Sequence, residues 1–260
     1  MTKSITLTDP MDPARMVALA ATLGIDWQNG QALPPFAHHV YFWQPQPQAR
    51  LGRDGHPKVG GDGLIPDFGL PRRMWAGGRL RFHADLHAGV PTEKRSTLLK
   101  TNEKQGRSGP LAFVTLQNEI IQNGRLCVTE EQDLVYRPEA VDSAPAALKP
   151  APVEADETVE RRFSTVELFR YSALTLNGHR IHYDRDYATG VEGYAGLVVH
   201  GPLLAQNLML MAGPGLAAFS FRGTSALMDF ETARFCREGN EMWVAGPDGR
   251  LCMEACRTLA

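Results

Sequence analysis

The sequence predicts an α+β protein made of two like units, each an antiparallel sheet curved around a buried apolar helix. Three observations lead there. A Pro-, Ala- and acid-rich stretch over residues 138–158 divides the chain, and it carries too little apolar surface to fold alone. Each side of it opens with helical signals and continues in strand-like alternation. The 260 residues suffice for two units of about 100 residues each.

Taken in order, residues 12–24 form the first helix, with Asp12 as N-cap, Pro13 in the first turn, apolar residues at helical spacing and Gly24 as the stop. Residues 33–43, entered through Pro34 and Pro35 and heavy in aromatics, form a second, buried helix. Residues 51–78 are dense in Gly and Pro, including Gly60, Gly61, Asp62 and Gly63, and are expected as a loop of functional length. Strands follow over 79–86, 93–104, 111–122 and 125–136 as a meander. Beyond the divider, 160–166 is a strand and 167–175 a short helical segment. An apolar helix over 199–211 is entered through Gly201 and Pro202. Strands at 216–229, 232–237, 241–245 and 251–257 complete the second set, with a tight turn at Pro247, Asp248 and Gly249. The units are therefore 1–137 and 159–260.

Composition excludes several classes. Hydrophobic residues at 43% and charged residues at 22% are ordinary for a globular chain. A net charge of −2 offers no basic face for nucleic acid or an anionic membrane. No apolar run approaches the roughly 20 residues that span a bilayer, and the first residues lack a signal peptide's apolar core, so a cytoplasmic location is expected. Cys127, Cys236, Cys252 and Cys256 are too few and too irregular for a disulfide or zinc framework and read as reduced residues. His38, His39, His56, His83 and His87 show no metal-ligand spacing and read as structural; no metal is expected.

The segment from Asn177 to Asp184 resembles the hydratase motif of the MaoC-like, (R)-specific enoyl-CoA hydratases. There an Asp is followed by a variable residue, Asn, Pro, an aliphatic residue and the catalytic His. Ile181, His182 and Asp184 match, as do Tyr187 and Ala188; Asn177 stands at the Asp position, His179 and Arg180 replace Asn-Pro, and Leu176 replaces a small residue. Downstream, His200, Gly201 and Pro202 resemble that family's entry to its central helix. Residues 168–184 and 70–78 are most similar to its double-hot-dog branch, which includes itaconyl-CoA and mesaconyl-CoA hydratases and type 2 hydroxyacyl-thioester dehydratases. The resemblance spans nearly the whole chain and implies a double hot-dog fold, an acyl-CoA substrate, no cofactor beyond the coenzyme A of the substrate itself, and a homo-oligomer. It also implies that the first unit binds the acyl group while the second carries the chemistry.

The residues bear this out chemically. Imidazole titrates near neutrality, which suits His182 to proton transfer. The amide of Gly201, at an open helix N-terminus, suits stabilisation of a thioester enolate. Asn177 cannot transfer protons, though it can orient water or substrate. Either His182 performs both transfers or a carboxylate such as Asp184 or Asp186 supplies the second. Arg72, Arg73, Arg79 and Arg81 cluster around Trp75; an Arg there can grip a substrate carboxylate or coenzyme A phosphates. Arg72, Arg73, Trp75, His200 and Asp184 are the candidate binding residues. The function expected is hydration of a short unsaturated dicarboxylic acyl-CoA, itaconyl-CoA or mesaconyl-CoA giving citramalyl-CoA. The alternatives are a 3-hydroxyacyl-thioester dehydratase of fatty-acid synthesis and a non-catalytic acyl-CoA-binding module.

Overall fold

A computed structural model describes residues 3–61, 63–106, 109–138 and 148–260. Asp62 and part of the divider, 139–147, lie outside the described residues. The first half runs β1 (Ser4–Asp9), α1 (Pro13–Leu23), β2 (Arg72–Phe82), β3 (Thr92–Gly106), β4 (Gly109–Gln122) and β5 (Arg125–Arg137). The second runs β6 (Glu157–Arg162), α2 (Thr165–Leu174), α3 (Arg185–Gly190), α4 (Gly201–Met211), β7 (Leu216–Gly223), β8 (Thr232–Glu238), β9 (Glu241–Ala245) and β10 (Leu251–Leu259).

Local signals account for most of these. The Asp12 carboxylate accepts from the Ala14 amide, and Gly24 closes α1 in the left-handed region at φ 69°. The Ser164 hydroxyl accepts from the Glu167 amide and starts α2. Asn123 and Gly124, both at positive φ, join β4 to β5 with the twist that hairpins favour. β1 was not foreseen, although Ile5 and Leu7 alternate with polar residues; it pairs with β3.

All ten strands form one antiparallel sheet in the order β1-β3-β4-β5-β2-β7-β10-β9-β8-β6. The two expected sheets are thus joined edge to edge where β2 meets β7, with Gly77 opposite Arg222 and Gly78 opposite Phe221. The glycines expected in a loop lie inside β2, because a Cβ on Gly77 would sit 2.4 Å from the Phe221 carbonyl oxygen. Absence of a side chain is what lets the halves close.

A single main core crosses the seam. α4 supplies Leu203, Leu204, Ala205, Leu208 and Met209 to it, and α1 adds Met16, Leu19 and Leu23. The expected helix over 33–43 is reduced to one 3-10 turn, Ala37–Val40. Phe36 and Phe42 flank it at positive φ, 71° and 60°, and that backbone cannot continue a right-handed helix in either direction. Only the second half therefore has a full central helix, and the turn leaves space on the first half's inner face. The four cysteines are free, and among the described residues no helix is long and apolar enough to cross a membrane.

Candidate active site

The loop after α2 is folded by its own polar groups. Leu176 turns the chain at φ 50°. The Asn177 amide donates to the Ser172 carbonyl at 2.8 Å, and the Asn177 side-chain oxygen accepts from the His179 amide at 3.0 Å. A 3-10 turn, Arg180–His182, then carries His182 inward.

The His182 Nδ1 lies 2.7 Å from the Val198 carbonyl oxygen. A carbonyl only accepts, so Nδ1 carries the proton and Nε2 keeps a free lone pair. Burial, followed by the charge of His179, lowers the His182 pKa to about 3, against the bond to Val198. The ring is therefore neutral and poised to accept. His200 stacks on it with centroids 3.7 Å apart and planes at 19°, and His200 is held by Ser172 Oγ at 2.8 Å from its Nε2. His56 and His179 extend this cluster, with ring centroids 4.8 Å apart.

His182, Asn177 and Gly201 line one cavity of about 660 Å³, together with Arg72, Arg73 and Trp75. Gly201 is the first residue of α4, so its amide points out of the helix with no intrahelical partner. A Cβ added to Gly201 would lie 4.0 Å from the Trp75 carbonyl oxygen. The open helix end and the imidazole thus face a common space formed by both halves. Burial raises the Tyr171 hydroxyl well above its ordinary pKa; that hydroxyl is buried without a partner among the described residues and belongs to the cavity wall. It is an available donor that the sequence did not single out.

The other candidates separate. Asp184, expected beside the substrate, instead caps α3 through the Tyr187 amide and pairs with Arg180 at 2.7 Å. Those contacts lower its pKa, so it stays ionised and lies outside the cavity lining. Asp186 is exposed on α3. Neither supplies a second proton-transfer group. His200 supports His182 from behind and does not line the cavity. Arg72 is buried and paired with Glu192. Arg73 lines the cavity without an ion pair among the described residues, near Asp54, His56 and His179. Arg79 pairs with Glu131 and Asp133 on the outer face, and Arg81 is exposed.

His38 and His39, taken as structural, converge on Glu130 across the fold. Its carboxylate accepts from His39 at 2.7 Å, His38 at 3.4 Å, Asn118 at 3.1 Å and Gln132 at 3.1 Å. Their ligand atoms lie within 4.8 Å of one another, but four donors and the nearby Lys94 suit a buried carboxylate better than a further cation. Burial alone would raise Glu130; the His39 charge and the bonds from both histidines hold it well below the carboxylate range.

Solved structures share this frame. A MaoC-like dehydratase from Phytophthora capsici superposes with a TM-score of 0.71 at 13% identity, covering 100% of this chain and 97% of that one. HtdX of Mycobacterium tuberculosis does so at 0.69 and 16%, covering 99% and 100%. A further M. tuberculosis protein, described as having a double hotdog fold, matches at 0.60 and 14%, covering 98% and 94%.

With a neutral imidazole and an unpaired helix amide on one cavity wall, the molecule falls into the MaoC-like double-hot-dog class of hydratases and dehydratases, which are hydro-lyases. The family model "Hydroxyacyl-thioester dehydratase type 2" matches residues 36–229, and the chain belongs to that family. Among its relatives, the mesaconyl-C(4)-CoA hydratase of Chloroflexus aurantiacus is 44% identical, over 93% of this chain and 90% of the relative. The mitochondrial hydroxyacyl-thioester dehydratase type 2 of Schizosaccharomyces pombe is 27% identical, over 82% and 80%.

Proposed function

We propose that this protein adds water reversibly across the double bond of a short dicarboxylic acyl-CoA, mesaconyl-CoA or itaconyl-CoA, to give citramalyl-CoA. The observation that carries the reading is His182, pinned through Nδ1 and stacked on His200, sharing its cavity with the amide of Gly201. The C. aurantiacus relative supports the substrate class.

In this mechanism, written for mesaconyl-CoA, whose double bond is conjugated with the thioester, Asn177 orients the water, His182 Nε2 takes one of its protons, and the hydroxyl oxygen bonds to the β-carbon. The electron pair of the double bond moves toward the thioester oxygen, where the Gly201 amide stabilises the enolate. His182 then returns the proton to the α-carbon, so one ring serves both transfers. A ring with so low a pKa is a weak base on its own. The growing enolate charge beside it favours the imidazolium and strengthens it during reaction. Water is the only other reactant, and no cofactor takes part.

The test is a panel of itaconyl-CoA, mesaconyl-CoA, crotonyl-CoA and longer enoyl-CoAs, with wild type and His182→Ala. Turnover is expected to be highest on the dicarboxylic thioesters and to fall in the variant by about 10²–10⁴-fold. Preference for long chains would replace this reading with a fatty-acyl dehydratase. Thioester binding without turnover in wild type would replace it with a binding module.

A further inference from the structure

The inner face of the first half is polar where a fatty-acyl tunnel would be apolar. On β3, Glu93 and Arg95 face outward while Lys94 lies between the inward Thr92 and Ser96. Opposite them on β4 stand Asn118 and Gln122, which bond to Ser96 and Thr92. Glu130 completes the layer from β5 and is 0% exposed. This is the closed end of the cavity, since Trp43, Met74 and Leu176 elsewhere in its lining are 38%, 41% and 44% exposed.

Lys94 lines this end and makes neither a hydrogen bond nor an ion pair among the described residues. The obvious anion, Glu130, is already taken by four donors. Burial pulls the Lys94 ammonium down, and the charge of Glu130 opposes that. Lys94 is half-buried on the cavity wall, and a half-buried cation without a bonded partner is costly, a cost that an anionic ligand group offsets. Trp75 sets the length available. Its carbonyl lies beside Gly201, and its ring centroid is 5.3 Å from that of His39. The thioester anchor and the polar end are therefore separated by about one tryptophan residue, which suits an acyl group with a four-carbon main chain.

We propose that Lys94 forms the subsite that holds the distal carboxylate of the acyl group. Arg72 and Arg73 are left for other contacts, and the first half of the chain becomes the reader of the substrate's second charge. The inference rests on the dicarboxylic reading above and assigns its recognition to particular side chains.

Binding of unreactive thioesters tests it apart from catalysis. Dissociation constants for succinyl-CoA, which has the distal carboxylate, and butyryl-CoA, which has a methyl group in its place, are measured on wild type, Lys94→Met, Lys94→Gln and Arg73→Met. Wild type is expected to prefer succinyl-CoA, and both Lys94 variants to lose about 10- to 100-fold of that preference. Arg73→Met should weaken both ligands together. The proposal is overturned by a wild type without preference, by an unchanged ratio in the Lys94 variants, or by a ratio that collapses in Arg73→Met instead. Circular dichroism identifies any misfolded variant, and Lys94→Gln, which keeps a polar side chain at the position, carries the comparison where Lys94→Met fails to fold. Succinyl-CoA bound through Lys94 by a protein that hydrates nothing would sink the hydratase reading and leave the subsite standing.

Discussion

At the scale of single residues, the proposed reactivity of His182 depends on orientation more than on acidity. Its ring is fixed by one hydrogen bond to Val198 and one stacked neighbour, His200. His200 touches no substrate space, so its part is to position the ring. Removing the stack in His200→Ala should lower kcat by about 100-fold, the order of loss that an ångström-scale misplacement causes. KM should hardly move. His200→Phe restores a flat ring and should recover most of the rate, whereas equal loss in both variants would show that the stack is not what matters.

At the scale of elements, the loop over 51–71 acts as a clamp on the loop that carries His182. Arg180 donates its amide to the Asp54 carbonyl at 2.9 Å and its guanidinium to the Arg53 carbonyl at 3.1 Å. Gly55 and Gly178 meet backbone to backbone: a Cβ on Gly178 would lie 2.4 Å from the Gly55 carbonyl oxygen. Gly178→Ala should therefore force the loops apart at a cost of about 2 kcal/mol, lower Tm by roughly 4–8 °C, and reduce kcat by displacing His182. A variant with wild-type Tm and rate would show that the contact is dispensable. The Gly- and Pro-rich loop was legible as functional in length, but its role as a brace was not, because its partner lies more than a hundred residues downstream.

At the scale of the whole molecule, the buried imidazoles tie stability to pH. Burial first, aided by neighbouring charges, holds His182 near 3 and His179 and His38 near 4. These folded-state values lie below the unfolded value of about 6.5. The unfolded chain therefore binds more protons in mild acid, and the stability from neutral rings is complete above that value and lost as pH falls toward the folded ones. Three such rings give up about 4 kcal/mol between pH 7.5 and pH 5.5, or roughly 10 °C in Tm. Thermal unfolding across that range checks this, and a flat Tm would mean that the rings are not buried neutral.

The sequence by itself determined most of the elements and singled out His182 and Gly201, which the fold brings to one cavity. Caps, breakers, period-2 alternation and the histidine-bearing loop are all written in windows of a few residues, and the physics that reads them is equally local. It overran at residues 33–43, where apolar bulk suggested a helix, and at 72–78, where glycine suggested a loop. In both places a distant partner decides: flanking positive φ angles leave His38 and His39 facing Glu130, and Gly77 is needed for β7 to approach. The Asp184 cap is local, made to an amide three residues on, but only the tertiary structure put Tyr171 on the cavity wall and aimed Lys94 inward. These outcomes follow from strand register and from the seam between β2 and β7, which bring together residues whose separation along the chain carries no trace of their contact.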